Sequence, residues 1–286
     1  MPVNLYNLPA PAKLNLFLHV TGRRDDGKHL LESVFVMIDR ADSIDLEELP
    51  DGRVERYGRI IGEAEKDLCV RAARLLQEHC RTNRGVRITV RKNIPAGAGM
   101  GGGSSDAATT LIGLNRLWGL GLEREELLEL GLRLGADVPF FIKGRNCWVE
   151  GIGEILEPIE IEPMKFAVLW PGRSVSTAEI FGSPSLTRDT KSVRIAFFVR
   201  KGFSGNTALF GWNDLQPVAV ELEPRIQQAL EMLAPCHSVR MTGSGSAVFG
   251  VLPTDVQMHF RSLPEDWLGF EAKTLGSHPL ADWLDD

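Results

Sequence analysis

A chain of 286 residues, 43% hydrophobic and 24% charged, has apolar material for a sizeable core in one large domain or two. Its net charge of −6 argues against a protein that grips nucleic acid by bulk electrostatics, and no run approaches the roughly 18 apolar residues of a membrane helix. The four cysteines, Cys69, Cys80, Cys147 and Cys236, form no CxxC pair, and Met1 to Leu8 has no leader-like apolar run; reduced thiols in a cytoplasmic protein are expected.

In chain order, Leu14–Val20 predicts a strand, Gly22–Lys28 a turn, and Glu32–Ile38 and Ser43–Glu48 two further strands. Leu68–Cys80 has helical apolar spacing and Val86–Val90 alternates as a strand. Past a glycine-rich segment, Ala107, Ala108, Leu111, Leu114, Leu117 and Trp118 form one helical stripe. A second helix over Arg124–Leu134 closes at Gly135. Trp148–Glu162 predicts paired strands bent at Gly151 and Gly153, Lys165–Pro171 a buried strand, and Ser174–Thr190 a loop-rich stretch. Pro224–Leu233 predicts a helix, and Val239–Val251 two apolar segments around Gly243-Ser244-Gly245. This mixed order predicts an α+β fold, with a boundary near residue 160 that gives units 1–160 and 161–286.

The segment that carries chemistry is Pro95-Ala96-Gly97-Ala98-Gly99-Met100-Gly101-Gly102-Gly103-Ser104-Ser105. Each glycine inside a regular element costs about 0.5–1 kcal/mol relative to alanine, so such density is useful only where backbone must turn with positive φ and approach a ligand. Successive N–H groups then line a concavity for an anion, and the helix that follows adds its positive end. Ser104 or Ser105 would cap that helix or offer a hydroxyl to a phosphate or metal-bound water. The segment satisfies G-x-G-x-x-G at Gly97, Gly99 and Gly102, but helix rather than an acid-bearing strand follows about 20 residues on. It lacks the lysine of a Walker A loop.

The segment resembles the phosphate loop of the kinase superfamily named for galactokinase, homoserine kinase, mevalonate kinase and phosphomevalonate kinase. Further stretches carry the resemblance: Pro11-Ala12-Lys13-Leu14-Asn15-Leu16, Asp26-Gly27-Lys28-His29, Gly135-Ala136-Asp137-Val138-Pro139, Asn213-Asp214-Leu215, and Met241-Thr242-Gly243-Ser244-Gly245. They are similar to the branch that phosphorylates the 2-hydroxyl of a cytidine diphosphate-linked methylerythritol in non-mevalonate isoprenoid synthesis; another small-alcohol kinase, such as one for homoserine, is the alternative. The resemblance implies an N-terminal α/β domain, a ferredoxin-like C-terminal domain, ATP with Mg²⁺, and small-molecule partners only. It implies Lys13 and Asp137 as the catalytic pair, Pro95–Ser105 with Thr242, Gly243 and Ser244 around the phosphates, and Asn15, Lys28, His29 and Phe181 around the substrate. Ser105 is the one weak candidate metal ligand. Two positions depart from the pattern: Lys28 replaces a common tyrosine, and Asp106 a common asparagine.

Overall fold

A computed structural model describes residues 4–60, 63–193, 209–253, 255–260 and 262–284. Two sheets organise it. The first holds β1 (Asn4–Arg23), β2 (His29–Leu49), β3 (Val54–Gly58), β4 (Gly85–Arg91), β5 (Cys147–Glu150) and β6 (Ile155–Pro158). β2 pairs with β1 along its length and with β4 and then β5 on its other edge; β3 flanks β4 and β6 flanks β5. Four helices cover one face: α1 (Leu68–Cys80), α2 (Gly102–Trp118), α3 (Arg124–Leu134) and α4 (Val138–Lys143).

The second sheet holds β7 (Lys165–Trp170), β8 (His237–Met241), β9 (Val248–Leu252) and β10 (Leu268–Lys273), in the order β10-β7-β9-β8 with antiparallel neighbours. Among the described residues its helices are α5 (Thr177–Gly182), α6 (Gln216–Leu222) and α7 (Arg225–Met232), all between β7 and β8. That strand order is the ferredoxin-like one. The β9–β10 connection, however, has turns among its described residues where that motif has a second helix.

Side-chain alternation decides which face each residue meets. On β2, Phe35 and Met37 pack under the helices, while Val34, Val36 and Ile38 face the second sheet. On β7, Phe166 and Val168 face the first sheet; Ala167 and Leu169 meet Ile180, Val218 and Ala229 on the outer helices. Strands buried on both faces read as unbroken apolar runs, so these were visible in the sequence.

β1 breaks this alternation. Leu8 and Ala10 face the helices, yet Ala12, Leu14 and Leu16 face the second sheet, because the register shifts between Pro11 and Ala12. The shift turns Lys13 and Asn15 to the helix side, opposite Met37 and Phe35. Several expectations need adjusting. The two strands expected at Glu32–Ile38 and Ser43–Glu48 are one, and the expected Leu14–Val20 strand runs from Asn4 to Arg23. β3, α4, α6 and β10 were not foreseen, and α5 lies in the stretch read as loop. All four cysteines are free thiols. No helix among the described residues is long and apolar enough to cross a membrane.

Candidate active site

The glycine segment runs from β4 into α2 with Gly97, Gly99 and Gly101 at φ of 63°, 73° and 71°. Gly99 is required by packing as well as by conformation. A Cβ there would sit 2.2 Å from the Thr242 carbonyl oxygen and 2.9 Å from the Gly245 nitrogen. The loop after β8 is thus seated directly on the glycine segment. Ser246 donates its backbone N–H to the Gly97 carbonyl at 3.3 Å, and Ala247 donates to Ala98 at 3.1 Å. Two glycine turns from different sheets, about 145 residues apart in sequence, interlock through main chain.

Beside them opens a cavity of about 410 Å³, lined by Pro95 through Ser104, Asp106, Ser244 and Gly245, and by the cations Arg56, Arg59, Lys66 and Lys92. Of the residues expected around the phosphates, Thr242, Gly243 and Ser105 are off this lining. Thr242 is fully buried and accepts from the Asn15 amide at 2.9 Å; the Gly243 carbonyl accepts from Asn213 Nδ2 at 2.8 Å. The expectation that Ser104 or Ser105 caps the helix fails. The N-cap is Gly101, in a left-handed conformation that admits glycine readily, and no side chain caps it. Ser105 sits inside the first turn, its Oγ buried with no partner among the described residues.

The Asp106 carboxylate turns toward Lys92, with Oδ2 2.6 Å from Nζ, and Lys92 also pairs with the fully buried Asp42. Asp42 accepts from the Ile94 amide at 2.8 Å, which fixes the entry to the glycine segment. Burial pushes the Asp106 carboxyl up to about 7 against the pull of Lys92. Lys92 and Asp42 had no signature in the sequence: their contact is made across 50 residues.

The expected catalytic pair does meet. Lys13, 4% exposed, places Nζ 3.6 Å from Asp137 Oδ2, on a side chain 32% exposed. Lys13 Nζ also donates to Asn15 Oδ1 and lies 4.4 Å from the centre of the Phe35 ring. Burial lowers the lysine pKa, and Asp137 opposes that shift. Asp137 occupies the N-cap position of α4, yet its side chain makes no cap bond, so the carboxylate is left to face Lys13. Asn15 is held by Ser33, which accepts from Nδ2 at 3.0 Å.

Lys28, His29 and Phe181 come together at a second cavity, of about 480 Å³, which Arg23, Leu31 and Ile152 also line. His29 and Phe181 stack on one another, ring centres 4.8 Å apart and planes inclined by 26°. Arg188, which no sequence pattern marked, donates from Nε to His29 Nε2 at 3.1 Å. Asn213-Asp214 proves to be scaffolding. Buried Asp214 accepts from the Val20 amide, the Thr190 hydroxyl and the Trp212 indole, each at 2.5–2.7 Å.

The chain matches the description "GHMP kinases N terminal domain" over residues 67–145 and "GHMP kinases C terminal" over 201–258. It is 54% identical to the 4-diphosphocytidyl-2-C-methyl-D-erythritol kinase of Methylibium petroleiphilum, over 98% of both chains. It is 50% identical to the kinase of that name from Thiobacillus denitrificans, covering 96% of this chain and 98% of the relative. A crystal structure of a 4-(cytidine 5'-diphospho)-2C-methyl-D-erythritol kinase superposes with a TM-score of 0.78 at 30% identity, over 95% of this chain and 99% of that one. A homoserine kinase from Cytophaga hutchinsonii shares the fold, with a TM-score of 0.67, at only 15% identity. An interlocked pair of glycine turns, a buried lysine–aspartate pair and full-length identity near 50% agree, and the chain belongs to the 4-diphosphocytidyl-2-C-methyl-D-erythritol kinase family of the GHMP kinases.

Proposed function

We propose that the protein transfers the γ-phosphoryl group of ATP to the 2-hydroxyl of 4-diphosphocytidyl-2-C-methyl-D-erythritol, giving the 2-phosphate and ADP, as a cytoplasmic enzyme of isoprenoid precursor synthesis. The observation that carries this reading is the pairing of Lys13, on the strand that abuts the glycine segment, with Asp137 at the start of α4. ATP takes the cavity of about 410 Å³, its phosphates under the amides of Gly97 to Gly103 and beside Ser244. The cytidine end takes the cavity at Lys28, His29 and Phe181. The chain divides for this purpose near residue 160.

Full removal of the alcohol proton by an ordinary carboxylate would cost about 16 kcal/mol, so Asp137 forms no free alkoxide. It orients the hydroxyl and accepts the proton late, which a loose phosphoryl-transfer transition state permits. Lys13 lies beside Asp137 and offsets charge on the group in flight. Its low exposure strengthens that effect, because little water screens it. Asn15 holds the ammonium in place, leaving positioning to supply much of the rate.

Mg²⁺ accompanies ATP and would neutralise phosphate charge. The unpartnered donors at the first turn of α2, among the described residues, are Ser105 Oγ and Asp106 Oδ1, both buried, and of the two residues only Asp106 lines the cavity. No cluster of three metal-ligating acids, histidines or cysteines occurs among the described residues. Assay of phosphate transfer from ATP to the cytidine-linked alcohol, against homoserine and mevalonate, tests the proposal; preference for either competitor overturns it.

A further inference from the structure

The second cavity is braced by a side chain that none of the motifs contains. Arg188 follows α5 and is half-buried. Its Nη1 donates to the Leu186 carbonyl at 3.0 Å, and Nη2 donates to the carbonyls of Phe181 at 3.0 Å and Ser183 at 2.6 Å. Its Nε donates to His29 Nε2 at 3.1 Å. One guanidinium therefore ties together the two residues whose rings line the cavity, His29 through its imidazole and Phe181 through its backbone carbonyl.

The chemistry of the last bond is one-directional. A guanidinium only donates, so the imidazole nitrogen it meets carries no proton. A neutral imidazole has one proton, which must then sit on Nδ1. Building on the reaction proposed above, we infer that Arg188 sets the hydrogen-bonding pattern of His29, holding it as an Nδ1–H donor that reads the substrate's pyrimidine as cytosine rather than uracil. Cytosine N3 accepts a hydrogen bond, whereas uracil N3 carries a hydrogen; a fixed donor satisfies the first and opposes the second. Rejection through a mismatched polar group is the strong form of discrimination. Burial and the charges of Arg188 and Arg23 hold the imidazole below its ordinary pKa, which favours the neutral ring. Arg188 is a positioning residue: it acts through His29.

Nitrogen-15 NMR of the imidazoles at pH 7, with His29 assigned through His29→Asn, reads the tautomer without turnover. The expected spectrum has Nδ1 protonated and Nε2 bare; a proton on Nε2 overturns the inference. Calorimetry with CDP and UDP is expected to show the native protein preferring CDP by about tenfold or more. Arg188→Met should reduce that ratio to about threefold or less, and raise KM for the cytidine-linked alcohol about tenfold with kcat and the ATP KM within about twofold. Arg188→Lys, which still donates, should restore part of the preference. Equal affinity of the native protein for CDP and UDP overturns the inference, as does an unchanged ratio in folded Arg188→Met. If Arg188→Met does not fold, the tautomer and nucleotide ratio of the native protein decide. The expected tautomer and CDP preference without phosphorylation of the alcohol would instead overturn the proposed reaction.

Discussion

The backbone N–H of Lys13 donates to the carbonyl of Met100 at 3.0 Å, so the strand bearing the buried lysine is stitched to the glycine segment. The lysine is indexed to the loop through main chain, and its ammonium then reaches toward Asp137. Register and charge placement are therefore one feature.

Lys13→Ala and Asp137→Asn should each lower kcat by roughly 10³-fold or more while ATP binding stays measurable by calorimetry, because the glycine cradle is untouched. Wild-type turnover in either variant would remove that residue from the chemistry.

Lys13 should also cost stability. Burial holds its folded pKa below the ordinary 10.5, so below that depressed value folding strands a charge that unfolding would solvate. The unfolded chain binds more protons between the folded pKa and 10.5, and stability rises with pH across that window. Lys13→Met is expected to lack this rise and to melt no lower than wild type at pH 7, although inactive. Thermal unfolding across an alkaline pH series checks both statements.

Gly99→Ala forces a methyl to within 2.2 Å of the Thr242 carbonyl oxygen at a φ of 73°. The two glycine turns must separate, and ATP affinity should fall by at least about tenfold. Titration calorimetry with ATP measures this; unchanged affinity would mean that the interlock does not shape the nucleotide cavity.

Asp106 behaves in the opposite sense to a stabilising carboxylate. Its folded pKa, raised to about 7, exceeds the unfolded value, so the folded state binds more protons between the two. Stability contributed by the neutral form is present at acid pH and is lost as pH rises through that window. Asp106→Asn is neutral throughout, so its melting temperature relative to wild type should climb from pH 4 to pH 8. A flat difference would show that Lys92 keeps the acid fully ionised.

Asp214→Ala removes the acceptor of three donors: the buried Val20 amide, the half-buried Thr190 hydroxyl and the indole of the exposed Trp212. The expected loss is about 3 kcal/mol, seen as a Tm lower by on the order of 5–10 °C. At a temperature where the variant is folded, KM for ATP should stay close to wild type.

Local chemistry made part of this protein legible in its sequence. Five glycines between Pro95 and Ser105 have a use only in a turning, ligand-facing backbone. Lys13 within an apolar run must find an opposite charge. The two-sided burial of β2 and β7 wrote itself as unbroken apolar stretches, and the stripe from Ala107 to Trp118 as a helix. What tertiary structure alone decided depends on contacts between distant segments. The register shift at Pro11–Ala12 turns Lys13 toward α4, and its cause is pairing with β2, not any residue preference. The seat of the second glycine turn on Gly99, the Asp42–Lys92–Asp106 chain, and Arg188 on His29 bridge 50 residues or more, except for the short Lys92–Asp106 step. Composition and spacing carry no information about such meetings, because side chains far apart in sequence are brought together only when the sheets pack.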